Sequence, residues 1–327
     1  MNRFAPLVTL ALMTAGPVHA QYNEMADVEI RAEQLAPGIA VLFGRGGNIG
    51  VSYGEDGTIL IDDQFAPLTG RIQSAISDLG ADPVRFLINT HWHFDHTGGN
   101  ENFGEAGALI MAHDNVRIRM AEGSSGRFDV PPAPPTALPV VTYHDGIKLH
   151  LNGDTVHVIH MHDGHTDGDS IIWWENANVI HMGDLFFYGG SFPFVDLESG
   201  GDVRGVIRAV NRVIDMTNDA TQIIPGHGPM ATRADLIAYG DMVADITGRV
   251  ESAMADGRSL EQIQAMAIPV DYAELEGGFI SGDAFVEAVH ASLSQPEDTG
   301  HHHDEISHSE HGNDEHGSDH DDGDDMH

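Results

Sequence analysis

Asn89-Thr90-His91-Trp92-His93-Phe94-Asp95-His96-Thr97-Gly98-Gly99-Asn100 is the most informative stretch of the chain. Three imidazoles and a carboxylate fall within six residues, directly after the apolar run 84–88, which reads as a buried strand. On a loop leaving a strand, alternate residues project to the same side. His91 and His93 can therefore face one point, while Asp95 and His96 face a second point beside it. Imidazole nitrogen and carboxylate oxygen are ligands that zinc takes in a tetrahedral array, with one position left for water where the metal is catalytic.

Outward from this loop the chain alternates between short apolar runs and helical spacing. Segments 39–43, 49–53 and 58–61 are separated by glycine-rich turns and predict an antiparallel meander. Leu68, Ile72, Ala75, Ile76 and Leu79 recur at helical spacing, and Gly80 ends that helix. Downstream we expect a strand at 108–111, a helix over 114–122 and a Gly/Ser/Pro-rich loop over 123–139. Strands follow near 140–143, 147–151, 156–161, 170–174 and 179–182. A helix over 202–216, a strand at 222–224 and helices over 233–255, 260–266 and 283–293 complete the pattern. Two runs of strands, each followed by helices, predict an α+β sandwich of two sheets with helices outside.

The ends read differently. Residues 1–20 carry Arg3, a short apolar stretch and Val18-His19-Ala20, the pattern of a secretory signal, so a periplasmic or secreted chain is expected. Residues 299–327 are read as a disordered tail; eight histidines and ten acids fall within 301–327, with no Lys or Arg. We expect this tail to capture metal ions. The hydrolase domain would then span 21–298. With 15 basic and 51 acidic side chains among 327 residues, the formal charge of −36 argues against nucleic acid and anionic lipid as partners. The absence of cysteine excludes thiolate zinc sites and cysteine nucleophiles. A small-molecule substrate is expected, and the oligomeric state is left open.

The His-x-His-x-Asp-His stretch resembles the signature of the metallo-β-lactamase superfamily. The resemblance continues through Ile59-Leu60-Ile61-Asp62, Gly164-His165-Thr166-Asp167-Gly168-Asp169, His181-Met182-Gly183-Asp184 and Pro225-Gly226-His227-Gly228, in the family's order. It implies a four-layer αββα sandwich with two zinc ions at one edge. It also implies that one ion is held by His91, His93 and His165, the other by Asp95, His96 and His227, with Asp184 between them. Asp62 would accept a hydrogen bond from a ligand histidine and fix its tautomer. Asp63 is the competing reading at that strand end, as an ordinary turn residue.

Two such ions about 3.5–4 Å apart make hydroxide available near neutral pH, so no protein nucleophile is needed. Asp95 is expected to orient that hydroxide and return a proton to the leaving group. The expected reaction is hydrolysis of a carboxyl-derived bond, lactam amide first, as in a β-lactamase acting on antibiotics. Lactone, ester or thioester is the alternative, because position 184 is Asp and position 187 is Phe, where the best-known β-lactamase subclass has Cys and often Lys. A zinc-buffering protein is the alternative of another class. Arg45 and Arg127 are possible partners for a substrate carboxylate. The Phe43 to Asn48 segment and the aromatic run over 186–194 are possible pocket walls. His144, His150, His157, His160, His162 and His181 are expected to be surface or hydrogen-bonded residues, with His162 the foremost exception. His113 is expected to cap a helix. Trp92, Phe94, Trp173 and Trp174 are expected in the core.

Overall fold

The structure, a computed structural model, describes residues 25–296. The segments read as a signal (1–20) and as a tail (299–327) lie outside the described residues. Strands β1 (Arg31–Ala36), β2 (Ile39–Phe43), β3 (Ile49–Ser52) and β4 (Thr58–Ile61) form an antiparallel meander. Helix α1 (Thr69–Asp78) returns the chain so that β5 (Val84–Ile88) pairs with β4 in parallel. Two short helices, α2 (Phe94–Thr97) and α3 (Asn100–Glu105), precede β6 (Leu109–His113), which is parallel to β5. Next come α4 (Asp114–Glu122), a hairpin of β7 (Ser124–Ser125) and β8 (Asp129–Val130), and β9 (Val141–Tyr143) beside β6.

The second run begins with β10 (Gly146–Leu151), β11 (Asp154–His160), β12 (Ser170–Trp174) and β13 (Val179–His181), all antiparallel. Helix α5 (Val203–Met216) leads to β14 (Gln222–Ile224), parallel to β13, and then to β15 (Ala231–Thr232). Helices α6 (Arg233–Ala255), α7 (Leu260–Gln264) and α8 (Gly282–Ser294) follow. The sheets have seven strands (β1-β2-β3-β4-β5-β6-β9) and six (β10 to β15 in order).

Strand alternation sorts the apolar side chains into layers. In β4, Ile59 and Ile61 join Val156, Val158, Ile172 and Trp174 of the other sheet, so these faces form the core between the sheets. Leu60 points the other way, onto Leu68, Ile72 and Ile76 of the α1 region. On the second sheet, Ile171, Ile180 and Ile223 face Val206, Val210, Leu236 and Val286 of the outer helices. The result is the four-layer αββα sandwich expected from the sequence. Both sheets are buried on both faces at their centres, which is why their strands read as continuous apolar runs.

The differences are local. Strand β1 was not read because Arg31-Ala32-Glu33-Gln34 is polar and exposed at a sheet edge. Strand β15 and the hairpin inside 123–139 are two-residue strands, too short to carry an alternation. His113 does cap α4, its Nδ1 accepting the Asn115 N–H at 3.2 Å.

Candidate metal centre

The ends of the central strands supply the cluster. Asp62 follows β4, His91 to His96 follow β5, Asp184 follows β13 and His227 follows β14. His165 comes from the loop between β11 and β12. Of the seven candidate ligands, His91, His93, His96, His165 and Asp184 are buried, as are Thr90 and Trp92, whereas Asp95 and His227 are more open.

The side chains gather in two sets. Donor atoms of His91, His93, His165 and Asp184 lie within 4.8 Å of one another, as do those of Asp95, His96 and His227. Asp184 divides its carboxylate between the sets. Its Oδ2 is 3.8 Å from His91 Nε2 and 3.6 Å from His165 Nε2. Its Oδ1 is 3.1 Å from His96 Nε2 and 3.4 Å from His227 Nε2. Asp95 Oδ2 lies 3.3 Å from His227 Nε2.

The hydrogen bonds on the outer side of each ring decide which nitrogen faces inward. His96 Nδ1–H donates to Asp62 Oδ2 at 2.7 Å. The Thr90 hydroxyl also donates to Asp62 Oδ2, so its oxygen accepts from His91 Nδ1–H at 3.0 Å. His165 Nδ1–H donates to the Phe194 carbonyl at 2.7 Å. His93 Nε2–H donates to Asp196 Oδ2 at 2.9 Å. In all four rings the remaining nitrogen faces the cluster, where it offers a lone pair once any proton on it is displaced. Those lone pairs meet one another rather than donors: His93 Nδ1 and His165 Nε2 are 2.8 Å apart. His91 Nε2 is buried with no hydrogen-bond partner, and Asp184 Oδ1, equally buried, has only the ring nitrogens of His96 and His227 beside it. Convergent lone pairs and orphaned buried acceptors are what a bound cation satisfies, and the donor set fits two divalent ions.

Backbone closeness is built in by two glycines. A Cβ on Gly47 would sit 2.1 Å from His96 Cε1, and one on Gly226 would sit 2.1 Å from Asp184 Oδ1. Asn48 joins the two approaches, its Nδ2 donating to the carbonyls of Pro225 and Gly228 on either side of His227.

Electrostatics separates the two sets. Burial pushes His165 down to about 4 and His91 well below its usual value. Burial also opposes charge on His227 and His96, but the carboxylates prevail. Asp184 and Asp95 lift His227 to about 10, and with Asp62 they hold His96 well above the ordinary range. Without metal, the acid-rich set therefore retains protons at pH 7 that a cation must displace. Metal uptake at pH 7 should release protons, and affinity should climb with pH until about 10. Calorimetric titrations in two buffers of different ionisation enthalpy would count them. In metal-free protein the sign is reversed for stability: the contribution of His227 is complete below the ordinary histidine value of about 6.5 and is lost as pH rises through about 10.

The seven residues named from the sequence lie together in these two sets, and Asp62 accepts His96 Nδ1–H. Asp63 instead accepts the Gly99 N–H at 2.8 Å. His162 is exposed and stands outside both sets. His181 is buried against the Asn48 carbonyl, and His160 against that of Asp169. The aromatic run divides: Phe186 and Phe192 are core, whereas Phe187 stacks on His227 and Phe194 on His93. Phe94 corrects the core expectation. It is 37% exposed because α2 turns it outward, edge-on to Phe128. Asp196 was missed. It lies in an irregular segment with no spacing relation to the motifs, and its pairing with His93 is visible only in three dimensions.

A model of the metallo-beta-lactamase superfamily matches residues 42–227. The chain belongs to that superfamily. Among curated relatives of this metallo-beta-lactamase-superfamily chain, it is 25% identical over 177 residues to the Beta-lactamase-like protein 2 homolog of Caenorhabditis elegans, covering 53% of this chain and 52% of that one. It is 24% identical over 197 residues to the Atrochrysone carboxyl ACP thioesterase of Claviceps purpurea, covering 60% and 51%. The chain thus spans about half the length of these curated relatives. In fold it is similar to a metallo-beta-lactamase from Pontibacter korlensis, with a TM-score of 0.55 and 19% identity, covering 66% of this chain and 100% of that one.

For this superfamily member, Asp196→Ala should release the His93 ring. Metal held by His91, His93 and His165 is expected to weaken by about 10–100-fold, with little change at the other set. Competition with a chromophoric chelator would resolve the two affinities.

Proposed function

We propose that this chain is a metal-dependent hydrolase that opens an acyl bond in a small molecule and works with two divalent ions, zinc first. Support comes chiefly from Asp184, whose two oxygens are shared between the two ligand sets. In this reading His91, His93 and His165 would hold one ion, Asp95, His96 and His227 would hold the other, and Asp184 would serve both sets. A bound metal pair supplies an acidified water and polarises the acyl oxygen.

The chain's own groups do the rest. Asp62, Asp196 and the Phe194 carbonyl keep the ligand rings in their productive tautomers. Phe187 and Phe194 hold His227 and His93 in place and exclude water from their faces. Asp95 Oδ2 is partly exposed and beside His227, placed to accept a proton and pass it to the leaving group. The cysteine-free composition agrees with chemistry that forms no acyl-enzyme on a thiol.

Our first choice of bond is the lactam amide. A thioester, ester or lactone is the second reading, favoured by Asp184 and Phe187 and by the thioesterase among the relatives. We also propose that the chain is exported. A panel of a chromogenic cephalosporin, a lactone, an aryl ester and an acyl thioester, run with metal-loaded and chelated protein, tests the function. Hydrolysis of at least one class, reduced about a hundredfold or more by chelation, is the expected result. No chelator-sensitive turnover of any class would point instead to a metal-buffering protein.

A further inference from the structure

The surface beside the first ligand set carries a feature that the metal centre does not use. Arg127, on the tip between β7 and β8, lays its guanidinium over Phe194 at 4.9 Å, with Phe128 at 5.8 Å and Phe279 at 5.9 Å. Phe194 in turn stacks on His93, ring centroids 5.8 Å apart and planes at 20°. Phe128 meets His93 edge-on at 6.0 Å and Phe94 at 5.9 Å. A cation thus stands one ring away from a metal-facing histidine, on an apolar wall whose outer members Phe94 and Phe279 are 37% and 61% exposed.

Among the described residues no carboxylate pairs with the Arg127 guanidinium; Glu198 is nearby, but its Oε2 accepts the main-chain N–H of Arg127 at 2.8 Å. By contrast Arg119, at the base of the same loop, is paired with Asp167 through two bonds. Stacking fixes the guanidinium plane and leaves its N–H edge free, the arrangement that grips a carboxylate in a two-pronged contact.

We propose that Arg127 with Phe94, Phe128, Phe194 and Phe279 forms a specificity subsite for an apolar or aromatic group bearing a carboxylate. The substrate of the hydrolase proposed above would then carry its anion on the His93 side of the scissile bond. The subsite rests on that reading for its role, but its binding can be measured without turnover.

Metal-loaded full-length protein would be titrated with phenylacetate and with uncharged phenylacetamide, followed by chemical-shift changes, in the wild type and in Arg127→Met and Arg127→Lys. The wild type should bind phenylacetate about tenfold or more tightly than phenylacetamide. Arg127→Met should abolish that preference while leaving phenylacetamide binding within about threefold, and Arg127→Lys should retain part of it, since charge survives without the planar fork. Arg127 is exposed, so the variants should fold, and an unchanged melting temperature would verify this. Two results would overturn the subsite: no preference in the wild type, or a preference that persists in Arg127→Met, which would place the carboxylate on the metals. The hydrolase reading is judged separately by the chelator-sensitive panel, so the two failures are distinguishable.

Discussion

Asp184→Asn is expected to lower turnover of whichever substrate is cleaved by about a thousandfold, the scale of several kcal/mol that metal stabilisation contributes. The side chain keeps its volume but loses the charge, and one of its two oxygens becomes an NH2 group. That group would point either at His91 and His165 or at His96 and His227, since the carboxylate now reaches both pairs at 3.1–3.8 Å. One set would face a donor where its own lone pairs and a cation need an acceptor. After dialysis the variant should retain about one ion per chain, against about two in the wild type, as measured by elemental analysis. Full activity with two ions retained would refute the bridging role.

Asp62→Ala should be the most damaging change outside the ligand sets. Asp62 accepts three hydrogen bonds from fully buried donors: the Thr90 N–H, the Thr90 hydroxyl and His96 Nδ1–H. Stranding buried donors costs about 1–3 kcal/mol each, though not additively, so a loss of about 3 kcal/mol is expected in metal-free protein. For a domain of this size that lowers the melting temperature by about 10 °C. The same change frees the rings of His96 directly and His91 through Thr90. Metal affinity should therefore fall at both sets, unlike in Asp196→Ala. Denaturant unfolding with and without chelator separates the two effects: an Asp62→Ala chain as stable as the wild type in both would remove Asp62 from its supporting role.

Much of this was legible because the ligand residues sit at the ends of strong apolar strands. The runs at 58–61 and 84–88 announce buried strands, and the residues just past them have to be polar for a reason other than packing. Those positions also carry recognisable motifs in order. What escaped the sequence has a common cause. Asp196 reaches His93 across 103 positions, and the Thr90 hydroxyl relays Asp62 to His91 through geometry that spacing does not encode. Phe94 differs because a large aromatic beside a buried histidine reads as core, whereas α2 is one turn long and leaves that residue exposed. Strands β1 and β15 escaped because an edge strand needs pairing more than hydrophobicity.

The separation of ligands between two sheets has a thermodynamic corollary. His91, His93, Asp95 and His96 hang from the seven-stranded sheet, while His165, Asp184 and His227 come from the six-stranded one. An unravelled chain keeps only the local quartet, so cations discriminate strongly in favour of the assembled form. Saturating an ion at a thousand times its dissociation constant would add about 4 kcal/mol to the resistance against denaturation. Scarcity of metal would thus be felt first as fragility of the whole sandwich, even before any substrate is offered.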